Sequence, residues 1–261
     1  MFLPETSLTK CIIMKNIYLI IALIILSSNF LFSQDFSLGL KDGASWSSID
    51  GRFDFKNFNQ TQIQNRVGHS FGLLLNYRTT RFLTLQMEFN FEEKGFKFSD
   101  NNFIGGGYSG NYSINYFTIP LITNFEIGKR VKYYGYTGVY IGFLVKAENY
   151  TSFISTASSD LIIYDLSYDP TELFNKQEFG GLVGVGIKIP LCEKVELIID
   201  SRYNFGLTKA AKNTDFVYDP NQWTKDNPDN FQNVCNRSFS ISFGILYKLN
   251  KKISHTEPNN K

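Results

Sequence analysis

Eight segments of this chain alternate oily and polar residues with a period of two. The connections between them run long, short, long, short, long, short, long, and the order never slips. A period of two belongs to a strand with two unlike faces. Short turns gathered at one end and long loops at the other confine such strands to an up-and-down antiparallel arrangement. The segments cover about 36–49, 68–78, 81–98, 113–127, 132–147, 178–189, 195–207 and 237–249. The short connections are "RTTR", "GKR" and "PLCEK"; the long ones span about 50–67, 98–112, 148–177 and 208–236.

Within "RFLTLQMEFNFEEKGFKF", residues 81–98, one face carries Leu83, Leu85, Met87, Phe89 and Phe91. The other carries Thr84, Gln86, Glu88, Asn90 and Glu92. In a soluble sheet the oily face lies on a core and the glutamates meet water. In a membrane barrel the oily face meets lipid and the glutamates point inward. The remaining strands favour the second arrangement. Their polar faces are rich in glycine and collect Glu88, Glu92, Lys146, Glu178, Lys188, Glu196, Asp200 and Arg202, charges of both signs. Turned outward, this set would leave the aromatic residues crowding an eight-stranded interior too small for them. The expected fold is therefore all-β: an eight-stranded antiparallel up-and-down transmembrane β-barrel. Glu88 and Glu92 are expected to point toward Lys188 and Arg202 in a paired interior network. Tyr133, Tyr134, Tyr203 and Tyr247 read as an interfacial girdle. A soluble lipocalin-like ligand-binding barrel is the structural alternative.

After Met14, "KNIYLIIALIILSSNFLFSQ" has a lysine, an apolar run and then small polar residues, the pattern of a secretory signal peptide. Residues 1–33 are read as that leader, with the true start at Met14, 34–249 as the barrel and 250–261 as a periplasmic tail. The apolar run is short for a spanning helix, which needs roughly 20 residues. An even strand number returns both ends of the barrel to the periplasm. A formal net charge of +2 gives no electrostatic case for nucleic acid. Cys192 and Cys235 fall at opposite ends of the barrel, beyond the roughly 7 Å Cα separation of a disulfide.

"LGLKDGASWSS", "YFTIPLITNFEIG", "GYTGVYIGFLVKAE", "EFGGLVGVGIKIP" and "DSRYNFGLTKAAKN" together resemble the PorT-like outer-membrane barrels of Bacteroidetes. The most specific elements are Arg202 to Leu207 and Ile119 to Leu121. The resemblance implies an eight-stranded barrel in the cell outer membrane of a diderm bacterium. It also implies a link to protein secretion, since the name-giving member is tied to the type IX system.

"GGGYSG", Gly105 to Gly110, satisfies a dinucleotide-binding pattern, but a strand follows it where a helix N-terminus is required, so it reads as an outer loop. His69 lies near the outer rim; a triad would have to combine it with a serine such as Ser70 and an acid. Asp160, Asp165, Asp169 and Glu172 lack the spacing of a calcium loop and read as solvated. "SSDLIIYDLSY" in the same connection could extend a strand or contact a partner. No catalytic, cofactor or metal site is expected. The functional expectation is a non-enzymatic barrel acting through protein interaction or envelope support, with outer-membrane lipid and envelope or secretion proteins as partners. The alternatives are a lipid-modifying enzyme or a narrow channel.

Overall fold

The computed structural model describes residues 35–54, 62–100, 106–155, 162–212 and 230–249. The expected leader and the tail lie outside them. Among the described residues nine strands follow in order: β1 (Asp35–Asp54), β2 (Gln62–Arg78), β3 (Leu83–Asp100), β4 (Gly106–Ile127), β5 (Lys132–Ser155), β6 (Ile162–Tyr168), β7 (Gln177–Pro190), β8 (Val195–Gly206) and β9 (Asn230–Lys248). They pair antiparallel. The sheet order β4-β3-β2-β1-β9-β8-β7-β5 closes on itself because β4 also pairs with β5. Only β6 stands outside the ring, paired with the outer end of β5. Eight strands thus form the barrel, as the sequence predicts, and inside the ring no edge is left open.

The tight turns are 79–82, 128–131 and 191–194. Gly128 opens the second with φ of 115°, a conformation that costs a residue with a Cβ dearly. At the opposite end the strands run further than their alternation announces. β4 begins at Gly106, so most of "GGGYSG" is strand rather than loop. β5 reaches Ser155, and part of "SSDLIIYDLSY" becomes β6.

The reason lies in a reversal of faces. On β3 the outward residues from Leu83 to Phe91 are apolar, and Thr84, Gln86, Glu88, Asn90 and Glu92 are buried inside. Above that point Phe96 and Phe98 are the buried residues and Lys97 faces out. β4 reverses at the same level: Phe117, Leu121 and Phe125 face outward below it, while Tyr108, Tyr112 and Ile114 are buried above it. Phe91 is paired with Phe117, and Phe117 with Phe143. Below this aromatic line the outer solvent is hydrocarbon; above it the outer solvent is water, and the oily set turns inward to make an ordinary core. The belt from Leu83 to Phe91 agrees with the 9–11 residues a strand needs to cross a bilayer.

One expected interior charge is misplaced by this geometry. Lys146 is exposed and pairs with Glu148 at 2.6 Å. The β4–β5 register shifts between Asn115 and Tyr116, which face Lys146 and Leu144 respectively. Val145 is the extra residue of a bulge, and such an insertion turns every later side chain to the other face.

The boundary can be tested on β4 alone. Leu121 and Ser113 both face outward, one inside the apolar belt and one above it. Leu121→Arg should cost about 2–4 kcal/mol in barrel stability, the depth-dependent cost of a cation facing lipid, and Ser113→Arg about 0–1 kcal/mol. Urea unfolding of the barrel refolded into phospholipid vesicles measures both; equal costs would remove the boundary.

Candidate functional site in the barrel interior and on its wall

Three charged layers fill the interior. Nearest the tight turns, the Glu126 carboxylate meets Lys188 Nζ at 2.5 Å, Lys132 Nζ at 3.3 Å and an Arg78 nitrogen at 3.5 Å. It also accepts a 2.9 Å hydrogen bond from the Thr84 hydroxyl. Close by, Glu196 pairs with Lys248 at 2.6 Å. In the middle, Arg202 donates through both terminal nitrogens to Glu88, at 2.8 and 2.6 Å. Lys41 Nζ lies 3.0 Å from Glu88 and 3.9 Å from Asp200. Gln86 and Asn90 donate to the same Glu88 carboxylate. Higher still, Lys94 Nζ sits 3.4 Å from Glu92 and 3.5 Å from Glu178, over the rings of Tyr116 and Tyr140.

All seven residues expected in the network, Glu88, Glu92, Glu178, Lys188, Glu196, Asp200 and Arg202, are buried. Their partners differ from expectation in part. Arg202 meets Glu88, but Lys188 turns to Glu126 and Glu92 to Lys94. Lys41, Lys94 and Glu126 complete the layers. Each lies on the inward parity of its own strand, so counting alternate residues through "EEKGF" and "TNFEI" would have found the last two.

Tyrosines reach into these layers across glycines. Tyr134, Tyr136 and Tyr140 on β5 face Gly186, Gly184 and Gly180 on β7, while Gly138 faces Leu182. A Cβ on any of the three β7 glycines would strike the opposing ring. This large-against-small matching lets the Tyr136 and Tyr134 hydroxyls donate to Asp200 at 3.2 and 3.5 Å. In the same way the Tyr140 hydroxyl donates to Glu178 at 2.5 Å. Tyr134 therefore belongs to the interior and not to the girdle, whereas Tyr133, Tyr203 and Tyr247 do face outward. Tyr134 and Tyr133 are neighbours on one strand and must point opposite ways.

Above Lys94 the bore is closed by rings. Phe96 stacks on Tyr112 with centroids 4.8 Å apart, and Phe231 meets both Tyr112 and Phe174 edge-on or tilted at 5.8 and 5.5 Å. Phe174 comes from the connection between β6 and β7, whose short helix Thr171–Leu173 ends at it. Two residues before that helix begins, the Asp169 carboxylate accepts from the Thr171 N–H at 2.9 Å. Hydrogen bonds from the Thr171 hydroxyl and N–H hold the Asp169 carboxyl below the usual carboxylate range. A lowered folded-state value stabilises above the ordinary carboxylate range and is lost as pH falls through the lowered value. The protection factor of the Thr171 amide, its exchange rate measured against the unstructured peptide at the same pH, should accordingly fall in acid, and an Asp169→Asn variant should lose that dependence.

The outer wall carries a second arrangement. His69 Nε2 lies 2.5 Å from Asp42 Oδ1, both side chains exposed on the outward face. Ser70 is no part of it, since successive strand residues face opposite ways. Asp165 accepts from Ser152 at 2.5 Å and Glu172 is exposed, so they do not converge with Asp169 on one point; Asp160 lies outside the described residues. Among the described residues no group of three or more His, Cys, Asp or Glu side chains is placed to hold a metal ion. Cys192 and Cys235 are free.

A closed ring with a lipid-facing belt and a filled, charged interior defines an integral membrane barrel. The chain belongs to the outer membrane protein beta-barrel domain family, whose model matches residues 32–212. It resides in the outer membrane. No curated protein matches it. Among solved structures it is similar to the outer membrane protein OprG of Pseudomonas aeruginosa, at 12% identity over 83% of this chain and 97% of that one, TM-score 0.47. It is also similar to Neisserial surface protein A, at 15% identity over 80% and 96%, TM-score 0.37. A third is the outer membrane protease OmpT of Escherichia coli, at 11% identity over 82% and 95%, TM-score 0.34.

Proposed function

We propose that this protein is a non-enzymatic, non-conducting barrel that works through its surfaces, by protein interaction at the cell envelope. The observation that supports this best is the sealed bore: three paired charge layers, then a plug of aromatic rings. An eight-stranded interior filled in this way leaves little room for a solute, and on this reading the working parts are the outer wall and the extracellular rim. At that rim β6 adds to the outer end of β5 beyond the ring, and the β5–β6 pair exposes Tyr150, Ile154, Ile163 and Leu166. An apolar strand pair surrounded by water suits contact with another protein. The resemblance to PorT-like barrels of Bacteroidetes adds protein secretion as the process such a contact would serve.

Two measurements test this reading. In planar bilayers the purified barrel should give no stable conductance step; a step would make it a channel. Crosslinking from position 163 or 166 in native cells should retrieve one defined envelope protein. Repeated recovery of none would leave a solitary structural barrel.

The Asp42–His69 pair favours a second reading, a lipid-modifying enzyme. A carboxylate holding an imidazole beside the outer leaflet is half of a general-base device. His69→Ala with the barrel intact should then change the lipid profile of the outer membrane. An unchanged profile in a deletion strain removes the reading.

A further inference from the structure

Among the outward positions of the apolar belt, Gly135 is unusual. Its neighbours in the same register on β4 and β7 are Phe125 and Val185. A Cβ built on Gly135 would meet nothing within 4 Å. The missing side chain opens a groove of about 500 Å³ on the lipid-facing wall, lined by Phe125, Ile127, Tyr133 and Val185 among others. The groove lies at the tight-turn end of the barrel, the periplasmic side of the membrane. Directly below it the β4–β5 turn reads "GKRVK", in which Lys129 and Arg130 are exposed. Lys132 is committed to Glu126, but among the described residues no ion pair engages Lys129 or Arg130. Arg81, in the turn before β3, is exposed on the same rim, and the backbone N–H of Glu126 donates to Phe82 of that turn at 2.8 Å.

We propose that this groove and turn form a binding site for one anionic phospholipid of the inner leaflet. The acyl chain lies in the notch at Gly135, where hydrocarbon meets aromatic and aliphatic walls, and the headgroup phosphate meets Lys129 and Arg130. Charge and position choose this occupant. An apolar groove at bilayer depth with unpaired cations at its water-facing end matches the two ends of a phospholipid, whereas the apolar face of a partner protein would leave the cations unanswered. A basic residue near an anionic lipid surface strengthens binding about fivefold.

The test is native mass spectrometry of the whole barrel extracted in mild detergent, with phosphatidylglycerol or phosphatidylcholine of identical acyl chains added. Wild type should retain phosphatidylglycerol preferentially. The variant carrying Lys129→Gln and Arg130→Gln should bind phosphatidylglycerol on the order of 20-fold more weakly and lose its preference over phosphatidylcholine, whose choline cation already offsets the phosphate charge. Gly135→Leu, which fills the notch without touching backbone, should lose both lipids. Heat-dependent gel mobility confirms that each variant is a closed barrel, and Gly135→Val replaces Gly135→Leu should the latter not close. Equal retention of the two lipids by wild type, or undiminished retention by the notch-filling variant, would overturn the site and leave only unspecific boundary lipid.

Discussion

Replacing Arg202 by Leu should destabilise the barrel by about 3–5 kcal/mol, among the largest effects any single substitution in this chain can have. The expectation rests on what remains. Arg202 and Glu88 form a bidentate pair, both side chains almost wholly buried. Without Arg202, Glu88 keeps Lys41 at 3.0 Å and two amide donors, but Lys41 is also the cation nearest to Asp200. One cation then serves two buried carboxylates. Glu88→Leu produces the opposite imbalance, with Arg202 and Lys41 facing Asp200 alone, and should cost a similar amount. The double variant removes one charge of each sign. Lys41 and Asp200 are left 3.9 Å apart, and Asp200 still accepts from Ser242 at 2.8 Å and Tyr136 at 3.2 Å. It should therefore cost less than the two single variants added together, by about 1–3 kcal/mol. Urea unfolding in phospholipid vesicles supplies all four corners of the cycle. Strict additivity would mean that water, not the partner, solvates these groups, and the sealed bore would be wrong.

Such a layer is easier to read in sequence than its contacts are. Parity along a strand fixes which side chains face inward, because the period is two and one face is committed to lipid. Glu88 and Arg202 could be assigned to the interior from their neighbours alone. Which cation meets which carboxylate depends on shear between strands far apart in sequence, and no local pattern carries it. That is why Lys188 is found at Glu126 and not at Glu88. A bulge defeats parity altogether: one extra residue at Val145 sends Lys146 outward, although four alternating residues before it pointed the other way. Tyr134 departs from the expected girdle for another reason. A tyrosine near a turn suits a girdle chemically, and only its place between Tyr133 and Gly135 shows that it must turn in. The reversal of faces above Phe91 was present in "EEKGFKF", where Phe96 and Phe98 share the parity of Glu92. It is invisible to a reading that assumes one outer solvent along the whole strand.

That reversal makes the outer half of the barrel a different kind of protein from the lower half, and Phe96→Ala separates them. Phe96 is fully buried, stacked on Tyr112 and within ring contact of Phe98 and Phe231. Truncation leaves a void among rings that water and lipid cannot fill well, so the loss should be about 3–5 kcal/mol. Phe91→Ala, five residues away on the same strand, removes an identical side chain from the lipid-facing wall. There an acyl chain takes the place of the ring and is as apolar as what it replaces, so the cost should stay below about 1 kcal/mol. The damage at Phe96 should also be local. Amide exchange should accelerate in the outer ends of β3, β4 and β9, while the belt below Phe91 keeps its protection and the barrel still resists SDS before heating. The reason is that the charged layers and the closed ladder of hydrogen bonds around them do not depend on the plug. Loss of SDS resistance in Phe96→Ala would mean instead that plug and barrel unfold as one unit, and that the aromatic core, not the lipid-bound ring, holds the fold together.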